Sequence, residues 1–136
     1  MLKTEYKKIL GIDFGTKKIG IAVSGGNGKF GLPKCVLKNN KDLMQNLIKI
    51  IQEENISEIV IGESINYKGG ENPVMDNIKK FVNEIKEKFN LPINFEPEFL
   101  TSSQAKNIQD DSDMIDASAA ALILQSFLDK KNYKKD

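Results

Sequence analysis

The sequence predicts an α/β fold in which a mixed β-sheet is flanked by α-helices. From Leu43 onward, segments with helical periodicity alternate with short apolar runs, which is typical of parallel strands joined by helices. The segment before Leu43 contains strand-like runs with short connections, which indicates antiparallel strands. With 136 residues and 40% hydrophobic residues, we expect a single domain spanning residues 1–136.

The first three predicted strands form a meander. Lys8 to Asp13 and Lys18 to Ser24 are rich in β-branched residues and are joined by a short connection at Gly15-Thr16-Lys17. A third strand is predicted around Phe30 to Val36. Together they predict one antiparallel part of the sheet.

Helices and strands then alternate. A first helix is predicted by apolar residues at helical spacing, and the continuous apolar run Ile56 to Ile61 predicts a buried parallel strand. Pro73 opens a second helix, which is followed by a strand at Ile93 to Glu98. The apolar positions of the first helix are Leu43, Met44, Leu47, Ile48 and Ile51.

The last part of the chain is predicted to be helical. A short helix near Ser103 to Ile108 precedes an acidic loop at Asp110 to Asp113. The final helix, about Ile115 to Leu128, is apolar nearly all round, so we expect it to be sandwiched in the core. Residues from about 130 to 136 are polar and are predicted to form a frayed tail.

The composition excludes several kinds of chemistry. There is no His, and all 20 basic residues are Lys. These absences exclude nucleophile pairs that need His, imidazole metal sites and arginine fingers. Any metal would be held by oxygen ligands, which favours Mg²⁺ or Mn²⁺.

Other features favour a cytoplasmic protein that does not enter a membrane. Cys35 is the single cysteine and has no partner for an internal disulfide. The segment Met1 to Lys8 lacks an apolar signal core, and the longest apolar stretch, Ala117 to Leu124, is too short to span a bilayer. The net charge is only +1.

Asp13 is the strongest candidate for a functional residue. It lies in a strand-like run otherwise suited to a sheet interior, where an ionised carboxylate is costly without a partner. Strand alternation places it on the face of Ile9 and Gly11, and Gly11 is expected to leave open space beside the carboxylate. The alternative is an aspartate that only initiates the turn.

Four further acids are candidates. Asp116 lies in the first turn of the most apolar helix, and Asp113 lies three residues earlier, so both share one side if the helix begins early enough. Glu98 and Glu63 end or follow predicted parallel strands, and ligands bind at that edge of α/β sheets. Favourable helix-dipole interaction or ordinary loop acids are the alternatives.

Four segments resemble the YqgF/RuvX family of ribonuclease-H-like nucleases. They are GIDFGTKKIGIAVS, IVIGESINYKGGEN, EFLTSSQA and MIDASAAALILQSFL, within a match from about Ile9 to Leu128. The resemblance implies a ribonuclease-H-like fold and a divalent-metal nuclease, a hydrolase acting on ester bonds, that matures the 5′ end of pre-16S rRNA in ribosome biogenesis. Some members are instead described as Holliday junction resolvases.

The resemblance also implies a set of site residues. Asp13, Glu98 and Asp116 match the acidic triad of the family and would bind Mg²⁺ or Mn²⁺, with two ions expected. Lys17 and Lys18, beside Asp13, are expected to position backbone phosphates, although a solvated turn is equally compatible.

The chain departs from the family pattern at two places. The usual Asp-Glu-Arg is Pro97-Glu98-Phe99, and the usual Gly-Leu-Pro-Leu is residues 62–65, in which Glu63 adds an acid where RuvC-type resolvases carry their glutamate. With a net charge of +1 and no Arg, we expect RNA or a ribosomal precursor particle as partner more than a DNA junction. A catalytically degenerate RNA- or ribosome-binding module is the alternative to an enzyme.

Overall fold

Within the described residues, five strands form one mixed sheet. The structure, a computed structural model, describes residues 7–25, 28–63, 74–97 and 113–133, with the backbone alone at 74, 113–116 and 133. β1 pairs antiparallel with β2 and parallel with β4, and the sheet order is β3-β2-β1-β4-β5. The predicted mixed α/β sheet is therefore confirmed. The strands are β1 (Lys8–Phe14), β2 (Lys18–Ser24), β3 (Gly31–Lys38), β4 (Ile56–Glu63) and β5 (Ile93–Pro97).

The sheet separates two apolar layers. Helices α1 (Leu43–Glu53) and α2 (Val74–Lys88) cover one face, where Leu10, Ile12 and Ile61 are fully buried. Helix α3 (Asp113–Tyr133) covers the other face, which carries smaller residues such as Ala22. Alternation along the strands sends successive side chains into the two layers. One face of β1 therefore packs toward α1 and α2, and the other packs toward α3.

The structure corrects the prediction for the last helix. α3 begins at Asp113 and extends to Tyr133, so Lys130 and Lys131 are helical instead of belonging to a frayed tail. It covers one face of the sheet and is not sandwiched, since Leu122 is 39% exposed. Residues 103–112, where a short helix and most of the acidic loop were predicted, lie outside the described part of the chain. None of the described helices is both long enough and apolar enough to span a bilayer.

Glu54 joins three elements at the amino end of β1. Its carboxylate accepts hydrogen bonds from Lys8 and Lys34, each at 2.8 Å. These groups belong to β1, to β3 and to the residue that follows α1. The hydrogen bond from Lys34, followed by that from Lys8, holds the pKa of Glu54 below its ordinary value of 4.5. Glu54 thus links the meander to the first helix.

Replacing Glu54 by Gln is expected to lower the free energy of unfolding by about 1 kcal/mol at neutral pH. Because the pKa of Glu54 is lowered by folding, its contribution is present above 4.5 and is lost as the pH falls through the folded-state pKa. Urea unfolding at a series of pH values should therefore show a gap between Glu54→Gln and wild type that closes in acid. The neighbouring Glu53→Gln serves as control, and a gap independent of pH would contradict the prediction.

Candidate active site

Asp13 lies near the carboxyl end of β1, on the face covered by α3. Its neighbours Ile12 and Phe14 point to the opposite face, where Ile12 is fully buried and the Phe14 ring lies 5.2 Å from that of Phe81 in α2. Alternation therefore sends Asp13 toward α3. Asp13 is half-buried. The prediction that Asp13 lies within the strand and shares the face of Ile9 and Gly11 agrees with the structure.

Glycines flank Asp13 on both neighbouring strands. Gly20 of β2 is its direct partner in the antiparallel ladder. On β4, Ile61 is level with Ile12, so the next position, Gly62, is level with Asp13. Neither neighbour has a side chain on the α3 face beside Asp13.

The structure corrects the role predicted for Gly11. A Cβ atom at this position would lie 2.8 Å from Cβ of Leu124 and 3.1 Å from the carbonyl oxygen of Ala120. The space beside Gly11 is therefore filled by α3. Gly11 thus allows the helix to pack closely on β1.

α3 packs on β1 through Ala120 and Leu124, which lie against Gly11. Nearer its carboxyl end, Lys131 pairs with Glu58 in the amino half of β4 at 3.0 Å, and Lys130 pairs with Glu96 near the carboxyl end of β5 at 2.7 Å. From Ala120, which packs on Gly11, one helical turn toward the amino end leads to Asp116, an axial distance of about 6 Å. Asp13 lies about 7 Å beyond Gly11 along β1. Asp116 thus lies one helical turn before the residue of α3 that packs on Gly11, and Asp13 lies two positions after Gly11 on the same face of β1.

Asp113 is the first residue of α3, not the end of an acidic loop. Asp113 and Asp116 consequently lie three positions apart within the first turn of this helix. The helix thus begins early enough for the two positions to share one side, which was the condition stated in the prediction. Their side chains belong to the part of the chain that the structure does not describe. Both remain candidate ligands by position.

The two predicted glutamates are placed differently. Glu63 is the last residue of β4 and has the same parity as Ile59 and Ile61, which pack against α1 and α2. Alternation therefore places Glu63 on the face opposite to Asp13. Glu98 follows β5, which ends at Pro97, and lies outside the described residues.

Glu96 was missed by the sequence analysis. Glu96 pairs with Gly62 of β4 in the sheet and is only 4% exposed. Its carboxylate accepts a hydrogen bond from Ser126 at 2.6 Å and pairs with Lys130 at 2.7 Å, both from α3. Glu96 therefore links β5 to α3, on the same face of the sheet as Asp13. An acid within a strand, two positions before Glu98, was the available sequence signal.

Two hydrogen bonds from Asn39 stabilise the turn between β1 and β2, next to Asp13. The Asn39 side chain donates to the carbonyl oxygen of Gly15 at 2.9 Å, and the Asn39 backbone donates to that of Lys17 at 2.9 Å. A side chain at Gly15 would collide with the carbonyl oxygen of Lys18. Lys17 and Lys18 are both exposed, and Lys18 shares the face of Gly20 and Asp13. These lysines are therefore accessible to a charged ligand near Asp13.

The donor set fits a hard divalent cation. Carboxylate oxygen is the ligand type that Mg²⁺ and Mn²⁺ prefer, and Asp13 supplies one carboxylate. Among the described side chains, no three acids or thiols come together closely enough to hold a metal. A complete site at Asp13 would need Glu98 and the side chain of Asp116, which fall outside that set.

Comparisons with known proteins identify relatives over most of the chain. The model of the family described as "RuvX: Holliday junction resolvase" matches residues 7–130. A protein of Dictyoglomus turgidum is 35% identical over 90% of this chain and 94% of its own length. One from Koribacter versatilis is 30% identical over 96% of this chain and 92% of its own length. Both carry the name "Putative pre-16S rRNA nuclease".

Solved structures of junction resolvases share the fold. Thermus thermophilus RuvC bound to a Holliday junction substrate aligns with a TM-score of 0.60 at 12% identity, covering 93% of this chain and 96% of RuvC. The fowlpox virus resolvase in complex with junction DNA aligns with a TM-score of 0.60 at 10% identity, over 91% of this chain and 98% of the resolvase. These likenesses support the predicted ribonuclease-H-like architecture.

Proposed function

Because this chain belongs to the RuvX family of nucleases, and is thus a hydrolase acting on ester bonds, we propose that its substrate is the 5′ region of pre-16S rRNA. The names of its relatives support this substrate. The single observation that carries the site assignment is the position of Asp13 between Gly20 and Gly62 at the carboxyl end of β1. That position puts a carboxylate at the edge of the sheet where ligands of α/β proteins bind.

Asp13, Glu98 and Asp116 are the proposed metal ligands and catalytic acids. Asp13 comes from the centre of the sheet, Asp116 from the first turn of α3, and Glu98 from the segment just after β5. When bound, one or two Mg²⁺ or Mn²⁺ ions would activate water and stabilise the leaving oxygen of the phosphodiester. Asp113 and Glu63 are further candidate acids, and alternation along β4 places Glu63 on the face opposite to Asp13.

The remaining roles belong to binding and orientation. Lys17 and Lys18 hold phosphates that flank the reacting bond, on a turn whose shape is fixed by Asn39. Glu96, through Ser126 and Lys130, keeps β5 and α3 in register, and thereby the segments that carry Glu98 and Asp116. The packing of α3 on the sheet therefore fixes the position of β5 relative to α3.

We favour RNA over a four-way DNA junction. The net charge is +1, and no Arg is available for bidentate phosphate contacts. A junction enzyme makes paired cuts across duplex arms, which calls for a broad basic surface. A ribosomal precursor particle is the proposed partner and the cytoplasm the proposed location. Cys35 is the single cysteine and is a free thiol, which agrees with a reducing compartment.

Side-by-side cleavage assays test this proposal. We expect Mg²⁺-dependent cleavage of labelled precursor RNA by wild type, weak or absent resolution of a synthetic junction, and no cleavage by Asp13→Asn. Symmetric junction cuts at rates above RNA cleavage would favour the resolvase alternative. Binding of RNA by wild type without any cleavage would favour the non-catalytic module.

A further inference from the structure

A cleft of about 300 Å³ opens at the carboxyl end of β1 on the face opposite to Asp13. It lies between the loop that precedes α1 and one side of α2. Phe14, the residue after Asp13, forms part of its lining, together with Phe81. A volume of this size is at the lower end of the range for small-molecule sites and suits one nucleotide unit.

The cleft combines apolar and polar surfaces. The rings of Phe14 and Phe81 lie at 50° to each other. Phe81 is buried and Phe14 is half-buried, and both residues line the cleft. Asn40 and Asn77 also line the cleft. Oδ1 of Asn40 accepts a hydrogen bond from the backbone N–H of Asp42 at 3.0 Å, so its NH₂ group is the part that can donate to a ligand. Aromatic surface binds nucleobases through their faces, and amides form hydrogen bonds to their edges.

Two lysines of the cleft are available for an anionic ligand. Lys41 and Lys80 are exposed, and within the described residues neither ammonium group forms an ion pair. Glu84 is the acid among the lining residues, so the lining as a whole carries an excess of one positive charge. The ammonium groups are suited to the phosphate of a nucleotide, and the aromatic residues beside them are suited to its base.

We propose that this cleft binds an unpaired nucleotide of the substrate strand, next to the phosphodiester held at Asp13. The inference rests on the proposed nuclease function. Asp13 and Phe14 are consecutive residues with side chains on opposite faces of the sheet, so a strand that crosses the carboxyl edge reaches both. A base enters the cleft only when it is unpaired, and the cleft therefore selects single-stranded nucleic acid at that side of the cut.

Binding of fluorescently labelled single-stranded RNA in metal-free buffer tests the cleft without cleavage. The cleft variant is Lys41→Gln with Lys80→Gln. The matched control, Lys49→Gln with Lys86→Gln, removes the same charge from exposed positions of α1 and α2 outside the cleft. We expect Kd to rise about 10-fold in the cleft variant and less than about 2-fold in the control.

The salt dependence gives a second readout that loss of stability would not mimic. Each phosphate contact to a single strand contributes about 0.7 to the slope of log K against log salt, so the cleft variant should lose about 1.4. Asn77→Ala should weaken binding of single-stranded RNA and leave duplex binding unchanged. In cleavage assays, KM should rise in the cleft variant with kcat nearly unchanged.

Equal affinities of the cleft and control variants would overturn the inference. If wild type cleaves RNA while the cleft variant binds normally, the cleft assignment fails and the proposed function stands. If wild type cleaves no substrate but the cleft variant alone loses single-stranded binding, the proposed function fails and the cleft stands as a binding site.

Discussion

Asp13→Asn is expected to reduce cleavage by about 10³-fold or more while changing the free energy of unfolding by less than about 1 kcal/mol. Asn has the shape of Asp but lacks its charge, and a neutral amide oxygen is a much poorer partner for a divalent cation. Neither β1 nor β2 contains another acidic residue that could replace Asp13.

Initial rates on precursor RNA at saturating Mg²⁺ measure this effect. Asp129→Asn is the control, because it neutralises an exposed aspartate of α3 in the half of the helix remote from its first turn. Glu98→Gln should reduce cleavage comparably, and Glu63→Gln should retain most of it. Activity of Asp13→Asn within tenfold of wild type would refute the assignment of Asp13.

Gly11→Ala is expected to lower the free energy of unfolding by about 2 to 3 kcal/mol. The added methyl group would lie 2.8 Å from Cβ of Leu124 and 3.1 Å from a backbone oxygen of α3, so the helix must move away from β1. Because α3 carries Asp116, we also expect cleavage to fall under conditions in which the variant remains folded.

Urea unfolding together with cleavage rates tests both effects. Gly28→Ala is the matched control: it adds the same methyl group where no heavy atom lies within 4 Å, and only the positive φ of 73° opposes it. We expect the control to cost about 1 kcal/mol and to leave cleavage unchanged. If Gly11→Ala were as stable as wild type, the close packing of α3 on β1 would not be needed.

Much of the sheet could be predicted because its signals are local. β2 has the predicted bounds, and β1 extends only one residue beyond them. The face of Asp13 followed from alternation with Ile12 and Phe14. The same parity, counted from Ile59 and Ile61, would have shown that Glu63 lies on the other face.

Other features depend on contacts between distant segments and could not be predicted from local patterns. The bounds of α3 exceed its apolar stretch because Lys130 and Lys131 pair with Glu96 and Glu58 on the sheet. The sequence predicted open space beside Gly11 because the helix that fills this space lies more than 100 residues later in the chain. The burial of Glu96 likewise requires Ser126 of that helix.

The central claim is that the reaction centre lies on the α3 face of the sheet, between Asp13 and the first turn of α3. Anomalous diffraction from crystals grown with Mn²⁺ tests it most directly. We predict a peak about 2 Å from a carboxylate oxygen of Asp13, with Asp116 among the other ligands. A peak at Glu63 on the opposite face, or none at Asp13 at Mn²⁺ concentrations that support cleavage, would contradict it.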